Sequence, residues 1–332
     1  MSLERIFKLP VLIRMFLLNI RKQKEFLEKT VGLDLLEFKN DNNLSDKDYK
    51  KIKSYYGVSV AAILGEGFCL LRGRKMSDTE RTQLTYLGAL TGLFDDFFDK
   101  KNTPEDHIKE MFNNPNEKLA RNSHELLFIR LYLKALIGNN TSLIKEYANK
   151  VFEAQILSKK QKNPELDRDT IKSITIQKGG MSILFYRCVF EDEITDKEYD
   201  MLYHLGGLGQ LENDLFDVYK DYQEQIRTLA TTEQKISKLR SIYVTLMNEV
   251  FDLLLQTDFE KRDQNKFFNL ISLISCRGLV CLDFLKKTEK LSNGSFDIPS
   301  YERKDLVCDM DKLSNQLKLF NYFVFLPNKT LR

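Results

Sequence analysis

An all-α fold is predicted by three observations. Apolar residues recur at helical intervals through most of the chain, no series of alternating strands interrupts them, and most of the six prolines fall between the periodic segments. The periodicity predicts helices at about 3–29, 46–73, 77–101, 117–137, 141–160, 167–190 with a break, 195–222, 232–256, 263–292 and 305–325. VLIRMFLLNI carries the first, VFEAQIL the fifth and FFNLISLI the ninth. Pro104, Pro115, Pro164, Pro299 and Pro327 punctuate the series, and Pro10 alone falls inside a segment. With 332 residues, 42% hydrophobic and 30% charged, and with no Gly/Ser linker or low-complexity tract, residues 1–332 read as a single domain with a large core.

Composition narrows the function. The formal charge is +3, from 51 basic and 48 acidic residues, which gives no electrostatic reason to expect nucleic acid as a partner. Five cysteines, Cys69, Cys188, Cys276, Cys281 and Cys308, form no CxxC pair, so neither a disulfide framework nor a zinc site is expected, and a reducing cytoplasm suits them. His107, His124 and His204 are scattered without ligand spacing. At the N-terminus MSLERIFKLPVLIRMFLLNIRKQK is interrupted by Pro10 and Arg14 and is too short to span a bilayer, so no transmembrane segment is expected there. It reads as a first helix packed on the domain, with peripheral contact to a membrane surface as the alternative.

Two helices carry matching acidic clusters. One opens with Ser77 and Glu80 in SDTE, the other with Thr195 and Glu198 in TDKE, both capping boxes. Eighteen residues after each cap the acids begin: Asp95, Asp96 and Asp99 in LFDDFFD, and Asn213, Asp214, Asp217 and Asp221 in ENDLFDVYKD. At about 1.5 Å per residue both lie roughly 27 Å along their helices, near C-terminal ends where the dipole opposes negative charge. Residues four apart share a face, so Asp95 stacks on Asp99, and Asn213, Asp217 and Asp221 form a second ladder. Apolar flanks screen the repulsion poorly, and a hard divalent cation relieves it. Magnesium is the expected ion, because a few carboxylates, phosphate oxygens and water complete its octahedron.

Small residues lie below the acids. Gly88 and Gly92 precede Asp95, and Gly206 and Gly209 precede Asn213. Each costs about 1 kcal/mol inside a helix relative to alanine, so each needs a reason: space for an apolar substrate, or close approach of a neighbouring helix. Within IKSITIQKGGMSILFYRCVF, Gly179 and Gly180 predict a helix break beside Lys178, which then meets a phosphate as a point charge or lies in solvent.

In these motifs the chain resembles the class I isoprenoid synthase superfamily, closest to the bacterial terpene synthases. DDFFD is similar to the first aspartate-rich motif of that family and NDLFDVYKD to the second. The resemblance implies a helical bundle with a central active-site cavity, in which Asp95, Asp96, Asp99, Asn213, Asp214, Asp217 and Asp221 hold several magnesium ions together with a substrate diphosphate. It implies diphosphate contacts from Arg168, Lys178 and Lys220, and a cavity lined by Gly88, Gly92, Phe94, Phe98, Phe185, Gly206 and Gly209, with Phe97, Tyr186 and Phe216 as further candidates. The chemistry implied is loss of diphosphate from a linear prenyl diphosphate, giving an allylic carbocation and then a terpene hydrocarbon or alcohol, by a monomer or homodimer.

The second motif is intermediate. Asn213, Lys220 and Asp221 match the terpene synthase pattern, but Asp217 replaces its hydroxyl; Asp214 and Asp217 partly match prenyl diphosphate synthases; Asp217 and Asp221 match the spacing of squalene- and phytoene-type enzymes. The Gly-Gly-Lys-Arg signature of chain-elongating enzymes is absent, with RGRK at Arg72 to Lys75 as nearest substitute and Lys100 and Lys101 where an arginine pair is expected. A one-substrate terpene synthase is therefore the expectation. A prenyltransferase is the alternative enzyme, and a non-catalytic helical isoprenoid-binding or interaction protein the alternative of another class.

Overall fold

Capping residues written into the sequence start the two acid-bearing helices. In the computed structural model of the chain, which describes residues 3–101, 103–292 and 294–326, Glu80 N–H donates to Ser77 Oγ (3.2 Å) and Ser77 N–H donates to Glu80 Oε2 (2.8 Å). Glu198 N–H likewise donates to Thr195 Oγ1 (3.2 Å). Each satisfies backbone donors that a helix start leaves open. Pro327 lies outside the described residues.

The helices, in chain order, are α1 Leu3–Glu28, α2 Val31–Leu36, α3 Asp46–Leu71, α4 Asp78–Asp99, α5 Glu105–Asn113, α6 Ser123–Ala135, α7 Thr141–Ser158 and α8 Arg168–Arg187. There follow α9 Asp196–Phe216, α10 Val218–Gln223, α11 Leu229–Thr232, α12 Ile236–Gln256, α13 Lys261–Glu289, α14 Arg303–Leu306 and α15 Leu313–Phe325. No strand occurs among the described residues, so the chain is all-α. By length and hydropathy alone Asp46–Leu71 and Lys261–Ser292 could cross a membrane, but 56% and 72% of their most apolar windows are buried inside the protein, as in core helices.

Four expectations about helices are corrected, one of them the segment expected at 305–325, which is divided into α14 and α15. The break at Gly179–Gly180 does not form: α8 runs unbroken through both glycines. The segment expected at 195–222 is instead divided at Asp217, whose φ of −96° and ψ of 10° end α9 before α10 begins. The stretch between 101 and 117, left without a helix, forms α5, which buries Ile108, Met111 and Phe112. Pro10 is accommodated inside α1, where its missing N–H leaves the Ile6 carbonyl without the usual helical donor.

Two compact units divide the chain: Pro10–Phe152 with Phe185–Glu193, and Met1–Leu9 with Glu153–Leu184 and Ile194–Arg332. In the first unit α4 packs against α3 and α6. Two stretches of α3, Lys51–Tyr56 and Val60–Gly65, are wide π-helical turns, and they press on α4 where it has no side chain. A Cβ at Gly88 would stand 2.6 Å from the Tyr56 carbonyl oxygen, and one at Gly92 2.9 Å from the Lys51 side chain. Farther along, Phe94, Phe97, Phe112 and Phe128 form an edge-to-face cluster with ring centroids 5.0–5.3 Å apart. Each such ring contributes about 2–3 kcal/mol by burial.

In the second unit α9, α12, α13 and α15 pack into a core that includes Leu211, Leu215, Tyr243, Val250, Phe268 and Leu282. Against α9 runs α8, antiparallel and unusually close. Gly180 meets Tyr203, Gly179 meets Gly206, Ile176 meets Gly207 and Thr175 meets Asp214. A Cβ at Gly206 would lie 2.2 Å from the Gly179 carbonyl oxygen, and one at Gly179 2.0 Å from that of Gly206. The glycine pair that was expected to break α8 serves this crossing. All five cysteines are buried, Cys69 and Cys188 in the first unit and Cys276, Cys281 and Cys308 in the second, and none is in a disulfide.

Of the four glycines expected to line a cavity, Gly88, Gly92 and Gly206 meet close neighbours from another helix, while Gly209 has nothing within 4 Å of where a Cβ would stand. Gly206→Ala is expected to lower stability by about 1–3 kcal/mol through overpacking. Gly209→Ala is expected to raise it by up to about 1 kcal/mol through helix propensity. Urea denaturation of the two variants checks the contrast, and equal effects would contradict the packing assignment.

Candidate functional site

In the first unit the DDFFD acids divide between two faces of α4. Asp96 is buried and Asp95 half-buried, while Asp99 is exposed at the helix end. Asp96 points at α3 and is already neutralised: Lys51 Nζ donates to its Oδ1 (2.9 Å) and Lys100 Nζ to its Oδ2 (3.0 Å). Lys100 also lies 3.8 Å from Asp48 Oδ1. Asp95 and Asp99 lie one turn apart on α4. Asp95 neighbours Tyr186, whose hydroxyl shares a 2.7 Å hydrogen bond with Thr91. Burial pushes that phenol up, and the charge of Asp95 adds to the shift against the hydrogen bond.

The second-unit cluster is arranged differently. Asn213 is exposed, Asp217 half-buried, and Asp214 and Asp221 buried. Asn213 Nδ2 donates to Asp217 Oδ2 (3.4 Å), and Asp221 N–H donates to the Asp217 carbonyl (2.8 Å), so the turn at Asp217 keeps the three in register across the division between α9 and α10. Asp214 accepts from Gln210 Nε2 (2.8 Å) and Thr175 Oγ1 (3.3 Å). Burial raises the Asp214 carboxyl to about 6; the Gln210 bond and the charge of Lys178 hold it back. For Asp221 burial, reinforced by the charges of Asp214 and Asp217, raises the carboxyl to about 8. The charge of Asp217 thus adds to burial at both Asp214 and Asp221.

Behind this cluster stands a group that sequence reading missed. Glu212 is buried and raised to about 7 by burial, partly offset by Arg277 and Tyr243. Arg277 Nη1 lies 3.3 Å from Glu212 Oε1 and its guanidinium covers the Phe216 ring at 5.3 Å. The Tyr243 hydroxyl donates to the Ser275 carbonyl (2.7 Å) and lies 3.2 Å from Glu212 Oε2. Nothing in the local sequence marks the pairing, because Tyr243 and Arg277 come from helices 31 and 65 residues away.

The expected diphosphate contacts separate. Lys178 is half-buried on α8 and its charge acts on both Asp214 and Asp221. Lys220 is exposed, 3.9 Å from Glu224. Arg168 is bound in an ion pair with Glu233. In RGRK, Arg74 donates to both Glu80 oxygens (2.9 and 2.6 Å) and to Asp192 (2.6 Å), and Arg72 lies 3.2 Å from Asp192, all within the first unit. Lys101 donates to the Asn43 carbonyl.

Of the expected lining side chains, Phe94 sits in the ring cluster, Phe98 packs on Phe94 at 5.2 Å, and Phe185 packs on Tyr186 at 5.7 Å. A groove of about 790 Å³ does occur in the second unit, between α12, α13 and α15. Its walls include Arg240, Met247, Phe251, Leu279, Asp283 and Tyr322 and none of the residues expected to line a cavity.

The donor chemistry fits magnesium in part. Among the described residues no group of three or more His, Cys, Asp or Glu side chains is close enough to cage an ion. Each cluster does offer hard oxygens that repel one another, and magnesium needs only one or two carboxylates when phosphate oxygens and water supply the rest. Asp95 with Asp99, and Asn213 with Asp217 and Asp221, are the residues that would hold it. No protein-family model matches this chain, and no curated protein matches it either.

Two outcomes follow. Acids raised in the folded state bind more protons there than when unfolded, so stability falls as pH rises from the unfolded carboxylate value near 4 through 6 and 8. Thermal melts in chelator should show that decline between pH 5 and about 8, and Asp221→Asn should flatten it. Asp96→Asn removes a charge that two part-exposed lysines neutralise and should cost about 1–2 kcal/mol, whereas Asp99→Asn, at the exposed helix end, should cost less than half as much; equal losses by urea denaturation would contradict the division of the motif.

Proposed function

We propose that the chain is a class I isoprenoid synthase, most specifically a magnesium-dependent terpene synthase that ionises a linear prenyl diphosphate and releases a terpene hydrocarbon or alcohol with diphosphate. The observation that carries this reading is the second-unit cluster, where burial, with the charge of Asp217 adding to it, raises the carboxyls of Asp214 and Asp221 beside a lysine that acts on both. Buried acids of one sign mark a place where charge is to be supplied by a ligand. The all-α chain, the paired caps and the Asp95–Asp99 ladder support it further.

In such an enzyme each acid cluster would hold magnesium, with phosphate oxygens and water completing the coordination. Asp95 and Asp99 would offer their oxygens from the end of α4; Asn213, Asp217 and Asp221 would offer theirs across the α9–α10 turn. Magnesium, when bound with diphosphate, neutralises the charge that grows on the leaving group. Lys178 would steady that group as a point charge, and Asp96, already neutralised by Lys51 and Lys100, would fix the orientation of α4. An apolar hollow that excludes water is part of the proposal, since water would capture the carbocation early.

Incubation with geranyl, farnesyl or geranylgeranyl diphosphate and magnesium, followed by gas chromatography and mass spectrometry of the extract, tests it. A hydrocarbon or alcohol of unchanged carbon number is expected, with Asp95→Asn and Asp217→Asn each slowing turnover on the order of a hundredfold. Longer diphosphates formed only with isopentenyl diphosphate would make the chain a prenyltransferase. Binding of the substrates without turnover would make it a non-catalytic isoprenoid-binding protein.

A further inference from the structure

One face of α1 carries large apolar side chains in contact with solvent. Phe7, Val11 and Leu18 are 74%, 68% and 53% exposed, and at 100° per residue they fall within one narrow stripe of the helix. Arg14, Arg21 and Lys22 are exposed on the same face, and Arg21 alone is partly offset by Glu25, 3.0 Å away. An apolar stripe edged by cations is uncommon on a solvated helix.

The first turns of α1 are anchored on the side opposite Phe7. Arg5 is buried, donates to the carbonyls of Phe323 (2.9 Å) and Leu326 (3.3 Å), and lies over the rings of Phe268 and Phe323 at 5.1 and 5.4 Å. The guanidinium thus both caps the end of α15 and fixes the rotation of the first turns of α1. At the end of α15 that Arg5 holds, Phe325 is also 61% exposed, so two helices present exposed aromatics at the point where they are tied together.

We infer that this face of α1 docks on an anionic lipid surface, with Phe7, Val11 and Leu18 at the acyl boundary and Arg14, Arg21 and Lys22 against headgroup phosphates. The geometry is that of a helix lying in the interface, and Pro10 and Arg14 exclude a spanning role for it. Charge complementarity selects lipid over a second copy of the chain, which would bring the same cations against each other. The inference is independent of the proposed reaction.

Sedimentation of the full chain with phosphatidylcholine vesicles containing phosphatidylserine, compared with phosphatidylcholine alone, tests it. Binding to the anionic vesicles that weakens at high salt is expected. The triple variant Phe7→Ser, Val11→Ser, Leu18→Ser should lower partitioning at least tenfold with an unchanged melting temperature, because all three positions are solvated. Arg14→Gln with Lys22→Gln should lower it by about fivefold per charge and reduce its salt dependence. No pelleting with anionic vesicles, or equal pelleting of the triple variant, overturns the inference. So does self-association that the triple variant abolishes while vesicles are ignored, which would assign the face to a second copy.

Discussion

The antiparallel crossing of α8 on α9 is the contact on which the second-unit cluster depends. Carbonyl oxygens at Gly179 and Gly206 occupy the places where side chains would stand, so the two backbones approach more closely than helices with side chains at the contact allow. That closeness puts Thr175 on Asp214 and brings the charge of Lys178 to bear on Asp214 and Asp221. A wider crossing would leave Asp214 with Gln210 and Asp221 with Lys220 as the groups that oppose the effect of burial, and burial with fewer partners drives a carboxyl to its neutral form. The glycines below the acids and the lysine beside them are parts of one device.

The two clusters handle charge in opposite ways. In the first unit Asp96 is buried with its compensation built in, as Lys51 and Lys100 reach it from a π-helical turn and from the end of its own helix. In the second unit Asp214 and Asp221 are buried among acids, and only one lysine acts on both. The first arrangement carries its compensating charge within the fold, and the second carries less of it. Glu212, held by Arg277 and Tyr243, belongs to the first kind, anchoring the end of α9 to α12 and α13.

Where local signals were strong the sequence was legible. Helix α4 begins where Ser77 and Glu80 place it, because a reciprocal cap leaves little choice of start. Helix α5 was missed because it is nine residues long, opens after a proline and is mostly polar, so its three buried apolar residues give a weak period. Gly179 and Gly180 misled for a physical reason: glycine disfavours a helix in isolation, yet here the neighbouring helix rewards its lack of a side chain. The division at Asp217 and the commitment of Arg74, Arg168 and Asp96 to ion pairs arise from contacts distant in sequence, or from the turn chosen between them, and periodicity carries neither. The acidic ladders were visible as spacing; their opposite electrostatics were not, since these depend on which lysines arrive.

Burial of every thiol has a practical corollary. Cys69, Cys188 and Cys276 are all pushed up to about 12 by their apolar surroundings, so at neutral pH almost none is in the reactive thiolate form. A sulfhydryl reagent can therefore modify them only when the fold opens around them. With Cys69 and Cys188 in one compact unit and Cys276 in the other, the pattern of labelled peptides would time the breathing of each unit separately, without any probe having to be engineered in.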